Sequence, residues 1–417
     1  MSVPKTGRPG RAGTSDDGDP DDGRGASDGQ RLATRPFIDL VIAQLWFGFA
    51  YATFLLLPKL LAADYHAGAD QVGFVMAAFG VLSLAASPGI GRVIARLGSR
   101  GTMRAANLVL AASALGFLAM GGANLYAAFL RGLQGVAWAL AFGGGMALCA
   151  QIAPPARLGQ ALGIFGAASL GMSAVGPVLA EPLAARFGAR AVFVLAAVAA
   201  AIGAYRCGRL PADEHHVAND NGQVRRRDGR WEAVWARMPI YVALATISLA
   251  GSALFSFVAP FALASGVGDV QAFFVAYTLA ALVSRFGIAR VVDRGGHRPA
   301  AAGAGLVYGA AVGAMAVLGP FHLVLVGAAF GVAHGIIYPS LMALVLTDVG
   351  ARDRPRLLGW ANGVMNLGIV ALAPLGTLIQ RTSYPTAFGE LGAVTSLMAL
   401  VLLAPAGRRL RRALGWS

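Results

Sequence analysis

Runs of about twenty apolar residues recur along this chain, and that length is what a helix needs to cross the hydrocarbon of a bilayer. They fall at 36–58, 70–91, 103–122, 124–150, 160–185 and 188–207. After a polar break they resume at 239–264, 270–291, 300–318, 321–347, 357–380 and 385–406. Backbone polar groups in lipid must be satisfied within the segment, so such runs read as helices and the chain as an all-α polytopic membrane protein. Only 13% of the residues are charged against 57% hydrophobic. That balance argues against a water-soluble domain, because ionised groups are costly in hydrocarbon. The connections Gly121–Asn124 and Gly319–Phe321 are so short that the passes they join must be antiparallel neighbours.

The arginines test this count. The net charge of +14 does not gather into one basic patch with interleaved aromatics, which argues against a nucleic-acid partner. With the N-terminus inside, the cytoplasmic segments hold Arg92, Arg96, Arg100, Arg104, Arg157, Arg206, Arg209 and Arg225–Arg227 in the first half. In the second half they hold Arg290, Arg294, Arg298, Arg352, Arg354, Arg356, Arg408, Arg409, Arg411 and Arg412. The outside loops keep only Lys59, Arg186, Arg190 and Arg381. Misplacing one pass would scramble the alternation, so the asymmetry places both termini in the cytoplasm and the chain in an inner membrane.

The expected organisation is a disordered acidic tail at 1–34, a six-helix bundle at 35–207, a cytoplasmic linker at 208–238, a second bundle at 239–406 and a basic tail at 407–417. The tail lacks the apolar stretch and cleavage site of a signal peptide. Cys149 and Cys207 have no metal-like spacing, and the linker pair His215–His216 lacks further ligands nearby, so neither a metal nor a cofactor is expected.

The chain also repeats itself. Gly91–Arg100 aligns with Ala289–Arg298, with Arg92/Arg290, Val93/Val291, Arg96/Arg294, Gly98/Gly296 and Arg100/Arg298 identical. Each copy ends the second pass of its half, which implies a parallel duplication of six passes.

These two segments resemble the turn pattern Gly-x-Leu-Ala-Asp-Arg-x-Gly-Arg-Arg of the major facilitator superfamily (MFS). The second copy keeps Asp293, Arg294, Gly296 and Arg298, while the first has Ala95 at the acidic position. Arg131-Gly-Leu-Gln134-Gly resembles the family's Arg-x-x-Gln-Gly motif, associated with proton coupling. Gly163, Gly176 and Pro177 match part of a motif of proton-exchanging exporters, with Met172 and Ala180 departing from it. The resemblance implies the MFS fold, twelve transmembrane helices as two pseudo-symmetric six-helix bundles, working as a monomer. It also implies gating by Arg96, Gly98, Arg100, Asp293, Arg294, Gly296, Arg298, Gly176 and Pro177.

Ionisable residues inside passes are functional candidates by default. Arg131 could bind an anionic group or lower the pKa of a nearby carboxylate. Glu181 reads as a proton carrier or a solvated rim residue. Asp39 reads as an interfacial ion pair with Arg35, or a proton site. Arg285 is the second-half candidate for contacting an anionic or zwitterionic substrate. His334 and Tyr338 share one helix face beside Pro339, and the imidazole suits proton exchange. The family's architecture implies that Gln44, Tyr51, Arg131, Gln134, Ser256, Arg285, His334, Tyr338, Asn362 and Asn366 border substrate, with Trp138 and Phe255 as apolar wall.

The expectation is a secondary active transporter that uses protons to expel a small amphipathic or anionic metabolite or drug by alternating access. Its partners are that small molecule, protons and the bilayer. A proton symporter importing a sugar or organic acid, or a non-transporting receptor with this fold, are the alternatives. No ATP-binding loop and no nucleophile–base pair within the passes points to an enzyme.

Overall fold

The computed structural model describes residues 32–154, 157–211, 232–267, 270–287, 292, 295–317, 319, 322–347, 349–350 and 353–403. Asp293, Arg294, the linker histidines and most of both tails lie outside the described residues. Among the described residues the chain is helical, with no strand. Ten helices are long and apolar enough to cross a membrane. One of these, Ala69–Ala119, is two passes joined end to end, and the shorter apolar helix Gln271–Gly287 adds another, which gives the twelve passes expected.

They are α1 Arg35–Asp64, α2 Ala69–Ala86, α3 Ile90–Gly116, divided at Gly98 so that its first residues complete the second pass and the rest form the third, α4 Leu125–Ile152, α5 Leu158–Phe187 and α6 Ala189–Cys207. The second half holds α7 Met238–Ala264, α8 Gln271–Gly287, α9 His297–Ala314, α10 His322–Leu346, α11 Arg356–Arg381 and α12 Tyr384–Leu403. The α3–α4 connection is short because Asn124 caps α4, its side chain accepting from the Ala127 N–H at 3.1 Å. Such a cap contributes about 1 kcal/mol.

The duplicated motif has a structural cause. Gly98 sits at φ 72°, ψ 171°, and Gly296 at φ 89°, ψ 143°. This corner of backbone space is essentially closed to residues with a Cβ. The chain reverses at both places. Before Gly98, Phe79 and Ile90 lie against Gly135 and Gly143 of α4; after it, Ser99 and Gly116 lie against Gly144 and Leu130. In the second half Phe273 and Tyr277 lie against Gly327 and Gly331 of α10, and beyond Gly296 the order inverts, with Gly305 against Ile337 and Tyr308 against Phe330.

Packing within the halves is equivalent. α1 packs on α5 and α6, α2 on α4, and α3 on α4 and α6; α7 packs on α11 and α12, α8 on α10, and α9 on α10 and α12. The centre belongs to α1 and α7, whose most apolar windows are 72% and 67% buried, against 28% for α5 and 22% for α11.

The halves meet chiefly at two seams, α2 against α11 and α5 against α8, with α1 also touching α7 between them. On the first, Gly73 and Gly376 bring the backbones together: a Cβ on Gly73 would overlap the Leu372 carbonyl oxygen and stand 3.0 Å from the Gly376 Cα. The Ala69 N–H then donates to Gln380 Oε1 at 3.0 Å. The halves are therefore closed at this end, opposite the basic end that carries Arg92, Arg96, Arg100 and Arg104.

Candidate functional site

Arg131 lies within two turns of the α4 start and is only 3% exposed. Its Nη1 donates to Gln134 Oε1 at 2.5 Å, and Nη2 reaches the Tyr51 hydroxyl at 3.5 Å. The guanidinium carbon stands 5.4 Å from the Tyr51 ring centroid and 5.1 Å from that of Phe79. Nε has no partner. Lys59–Glu181 is an ion pair among the described residues, and no described carboxylate neutralises Arg131. Cation–π contacts contribute up to about 2 kcal/mol when desolvated, but they leave the charge in place.

An aromatic ladder leads away from this cation. Tyr51 lies tilted against Trp138 at 4.6 Å, Trp138 against Phe142 at 4.4 Å, and Phe142 meets Phe165 edge-on at 5.7 Å. Arg131, Gln134, Trp138 and Phe142 recur at spacings of three and four, which puts them along one face of α4. Tyr51, Trp138 and Phe142 are half-buried and Phe165 is fully buried.

The second half carries a related ring cluster without the cation. Phe255 of α7 meets Tyr277 of α8 at 5.0 Å and Phe330 of α10 at 5.8 Å, and Tyr277 meets Phe330 at 5.2 Å. Gly331 lies on the Tyr277 carbonyl as Gly135 lies on that of Phe79. In that register Gly327 takes the place of Arg131 and His334 that of Trp138. The His334 ring stands 5.6 Å from both Tyr277 and Phe330, and its Nδ1 has no hydrogen-bond partner. Arg285, half-buried near the end of α8, forms neither a hydrogen bond nor an ion pair among the described residues. It faces the other half: a Cβ on Gly166 of α5 would stand 3.6 Å from Arg285 Nη2.

The other candidates scatter. Gln44 is fully buried inside the first half, donating from Nε2 to Ser169 Oγ at 2.6 Å, so it clasps α1 to α5. Asn366 donates to the Asn362 carbonyl at 3.0 Å, and its own carbonyl lies against Gly80 of α2, on the seam between halves. Ser256 is buried within α7 and Tyr338 is half-buried on α10. Among the gating candidates, Arg100 donates to the Leu210 carbonyl at 2.8 Å, Arg96 and Arg298 are exposed, and Gly176, next to Pro177, packs against Ala52 of α1.

Two expectations change. Lys59 belongs to a helix rather than an outside loop, because α1 continues through the 3-10 turn Thr53–Leu56 and Pro58 at a helix start. There it pairs with Glu181, both side chains being about four-fifths buried at 21% and 16% exposure. The Arg35–Asp39 ion pair is not formed, since the exposed Arg35 has water as a competing partner. Sequence reasoning missed Phe79, Phe142, Phe165, Tyr277 and Ser169. The spacing of Trp138 and Phe142 behind Arg131 was a usable signal for the ladder; the contributions of α2, α5 and α8 had none.

With this geometry in hand, the comparisons with known proteins are concordant. The sequence profile of the Major Facilitator Superfamily matches residues 40–349 and 244–414. Among curated proteins none matches at a significant level. Solved structures share the fold: a peptide transporter in complex with alafosfalin (TM-score 0.74, 14% identity, 92% of this chain and 97% of that one), the nucleoside transporter NupG (0.71, 13%, 88% and 99%) and the human organic anion transporter MFSD10 (0.64, 18%, 88% and 99%). Twelve passes in two equivalent halves, a glycine turn repeated at Gly98 and Gly296, and a profile match over most of the length together make this chain a member of the major facilitator superfamily.

Proposed function

We propose that this protein is a proton-coupled transporter of small amphipathic anions, working by alternating access between its two halves. The observation that carries this reading is Arg131, a cation 97% enclosed whose Nε has no hydrogen-bond partner and which has no carboxylate partner among the described residues. A buried unpaired charge costs several kcal/mol, and the cost falls when an anion docks beside it. Trp138 and Tyr51 supply apolar surface for the rest of such a cargo.

The same electrostatics bear on the direction of coupling. An exporter that exchanges cargo for protons needs a site where the two compete, and for an anion that means a proton leaving as the cargo binds. Near Arg131 there is no unpaired carboxylate among the described residues to play that part, Glu181 being held by Lys59. His334 is enclosed by the Tyr277 and Phe330 rings, so a proton reaches it only against a desolvation cost; one that does adds positive charge to the second half and strengthens anion binding, as in a symporter. Co-transport of an organic anion with a proton is therefore the reading the geometry favours. Exchange remains the second reading, carried by Gly176–Pro177, where α5 closes directly onto Ala52 of α1.

One assay separates them. Purified protein in liposomes holding a pH dye is given an aromatic or medium-chain carboxylate on the outside. Acidification of the lumen with cargo uptake is the expected result, and Arg131→Gln is expected to lower the rate by roughly tenfold or more. Alkalinisation would establish exchange. Equal transport of neutral solutes, with Arg131→Gln without effect, would sink the anion reading.

A further inference from the structure

Arg285 is a second cation that the described structure leaves without a counter-charge, and its position relative to Arg131 carries information about cargo length. On α5, Arg285 is level with Gly166, whereas Ala52, the neighbour of Tyr51, is level with Gly176. Ten residues of helix rise about 15 Å. The Tyr51 side chain leans back toward the start of α1, where long helical side chains point, which brings the two guanidiniums to a separation on the order of 10 Å along the membrane normal.

The space between them is not polar. The half-buried rings Tyr51, Trp138 and Phe142 run from the Arg131 end to the level of Phe165, which is itself buried against Gly145 of α4 one residue before Gly166. The two cations thus stand at the levels of the two ends of this ring series, Arg131 contributed by the first half and Arg285 reaching across from the second. Asp39, Asp64, Asp70, Glu181, Asp353 and Glu390 are the described carboxylates in or beside the passes, and none pairs with either arginine.

Resting on the anion reading above, we infer that the cargo is two-headed: a small dianion with its anionic groups at opposite ends of an apolar or aromatic body, one held at Arg131 and the other at Arg285. Each guanidinium offers a planar fork suited to a carboxylate or a phosphate monoester, and the rings between them exclude water from the middle of the chain. Binding both ends ties the two halves together across the α5–α8 seam. A monoanion reaches one arginine and leaves the other uncompensated.

The test is the ratio of affinities for matched dianions and monoanions, measured as ligand-induced thermal stabilisation of the full-length purified protein. The probes are the α,ω-dicarboxylates from succinate to sebacate and, for each, the monomethyl ester. The expected result is an optimum at intermediate length, with the dicarboxylate bound roughly tenfold or more tightly than its monoester. In Arg285→Gln that preference collapses while the monoester still binds; in Arg285→Lys a large part of it returns. A fold change in the ratio distinguishes a lost contact from a merely weakened protein, and the lysine variant covers the case in which glutamine is not tolerated. Equal affinity for the two probe classes at every length, with the ratio unmoved in Arg285→Gln and Arg285→Lys, would overturn the two-headed cargo and leave the anion reading standing. Failure of every anion to bind, with Arg131→Gln silent, would overturn both.

Discussion

Gly73→Ala should open the protein at the end where α2 meets α11. In the closed arrangement a Cβ at residue 73 overlaps the Leu372 carbonyl oxygen and approaches the Gly376 Cα to 3.0 Å. Both obstacles are backbone, so no rotamer change relieves them. Overpacking of this kind costs about 1–3 kcal/mol. The intrinsic gain in helix propensity from Gly to Ala is the same in the open and closed arrangements and cancels. Taking about 2 kcal/mol against the closed state alone, the equilibrium shifts by roughly thirtyfold toward opening at this end. Ala69, 5% exposed, is the reporter. As Ala69→Cys it would be labelled by a polar maleimide only in the open state, and the native Cys149 and Cys207 are both buried. The labelling rate should rise by about that factor while the closed state dominates. Gly376→Ala should act in the same direction, because its Cβ would overlap the Ala69 carbonyl oxygen. An unchanged rate in a protein that melts normally would mean that this seam does not separate during opening, and the gating argument built on it would fail.

Lys59 and Glu181 are partly shielded, so Lys59→Met or Glu181→Leu alone should cost about 1–3 kcal/mol, less than a fully buried pair because solvent screens the orphaned charge. The double variant should melt above either single one, and strict additivity would show the pair to be energetically idle. Gly98→Ala and Gly296→Ala should each cost about 1–3 kcal/mol for the same backbone reason. Gly91→Ala, whose Cβ would meet nothing, should cost nothing; a fall at only one of the two turn glycines would break the structural equivalence of the halves. Trp138→Ala should weaken binding of aromatic carboxylates by about 1 kcal/mol or more relative to aliphatic ones of equal charge, read as a change in the ratio of their affinities.

Much of this protein was legible in its sequence because a bilayer is a one-dimensional constraint. Twenty apolar residues must be helix, and arginines between them sort to one side, so count, class and family follow from order along the chain. Gly98 and Gly296 were visible as a repeat since the turn tolerates no Cβ, whatever surrounds it. Arg131 was visible because a charge within an apolar run is rare.

Which face each helix presents was not legible, because α1, α4 and α10 are apolar nearly all round and periodicity has little to register. So Gln44, a polar residue in a central pass, turned out to clasp Ser169 inside one half. Lys59 lay in a helix against Glu181, 122 residues away. The aromatic track draws Tyr51, Trp138 and Phe165 from three helices, and the approach of Arg285 to Gly166 joins the two halves. These are decisions of packing: helices in lipid associate through backbone contact at small residues such as Gly73, Gly135 and Gly376, and only the assembled bundle fixes which side chains those contacts bring together.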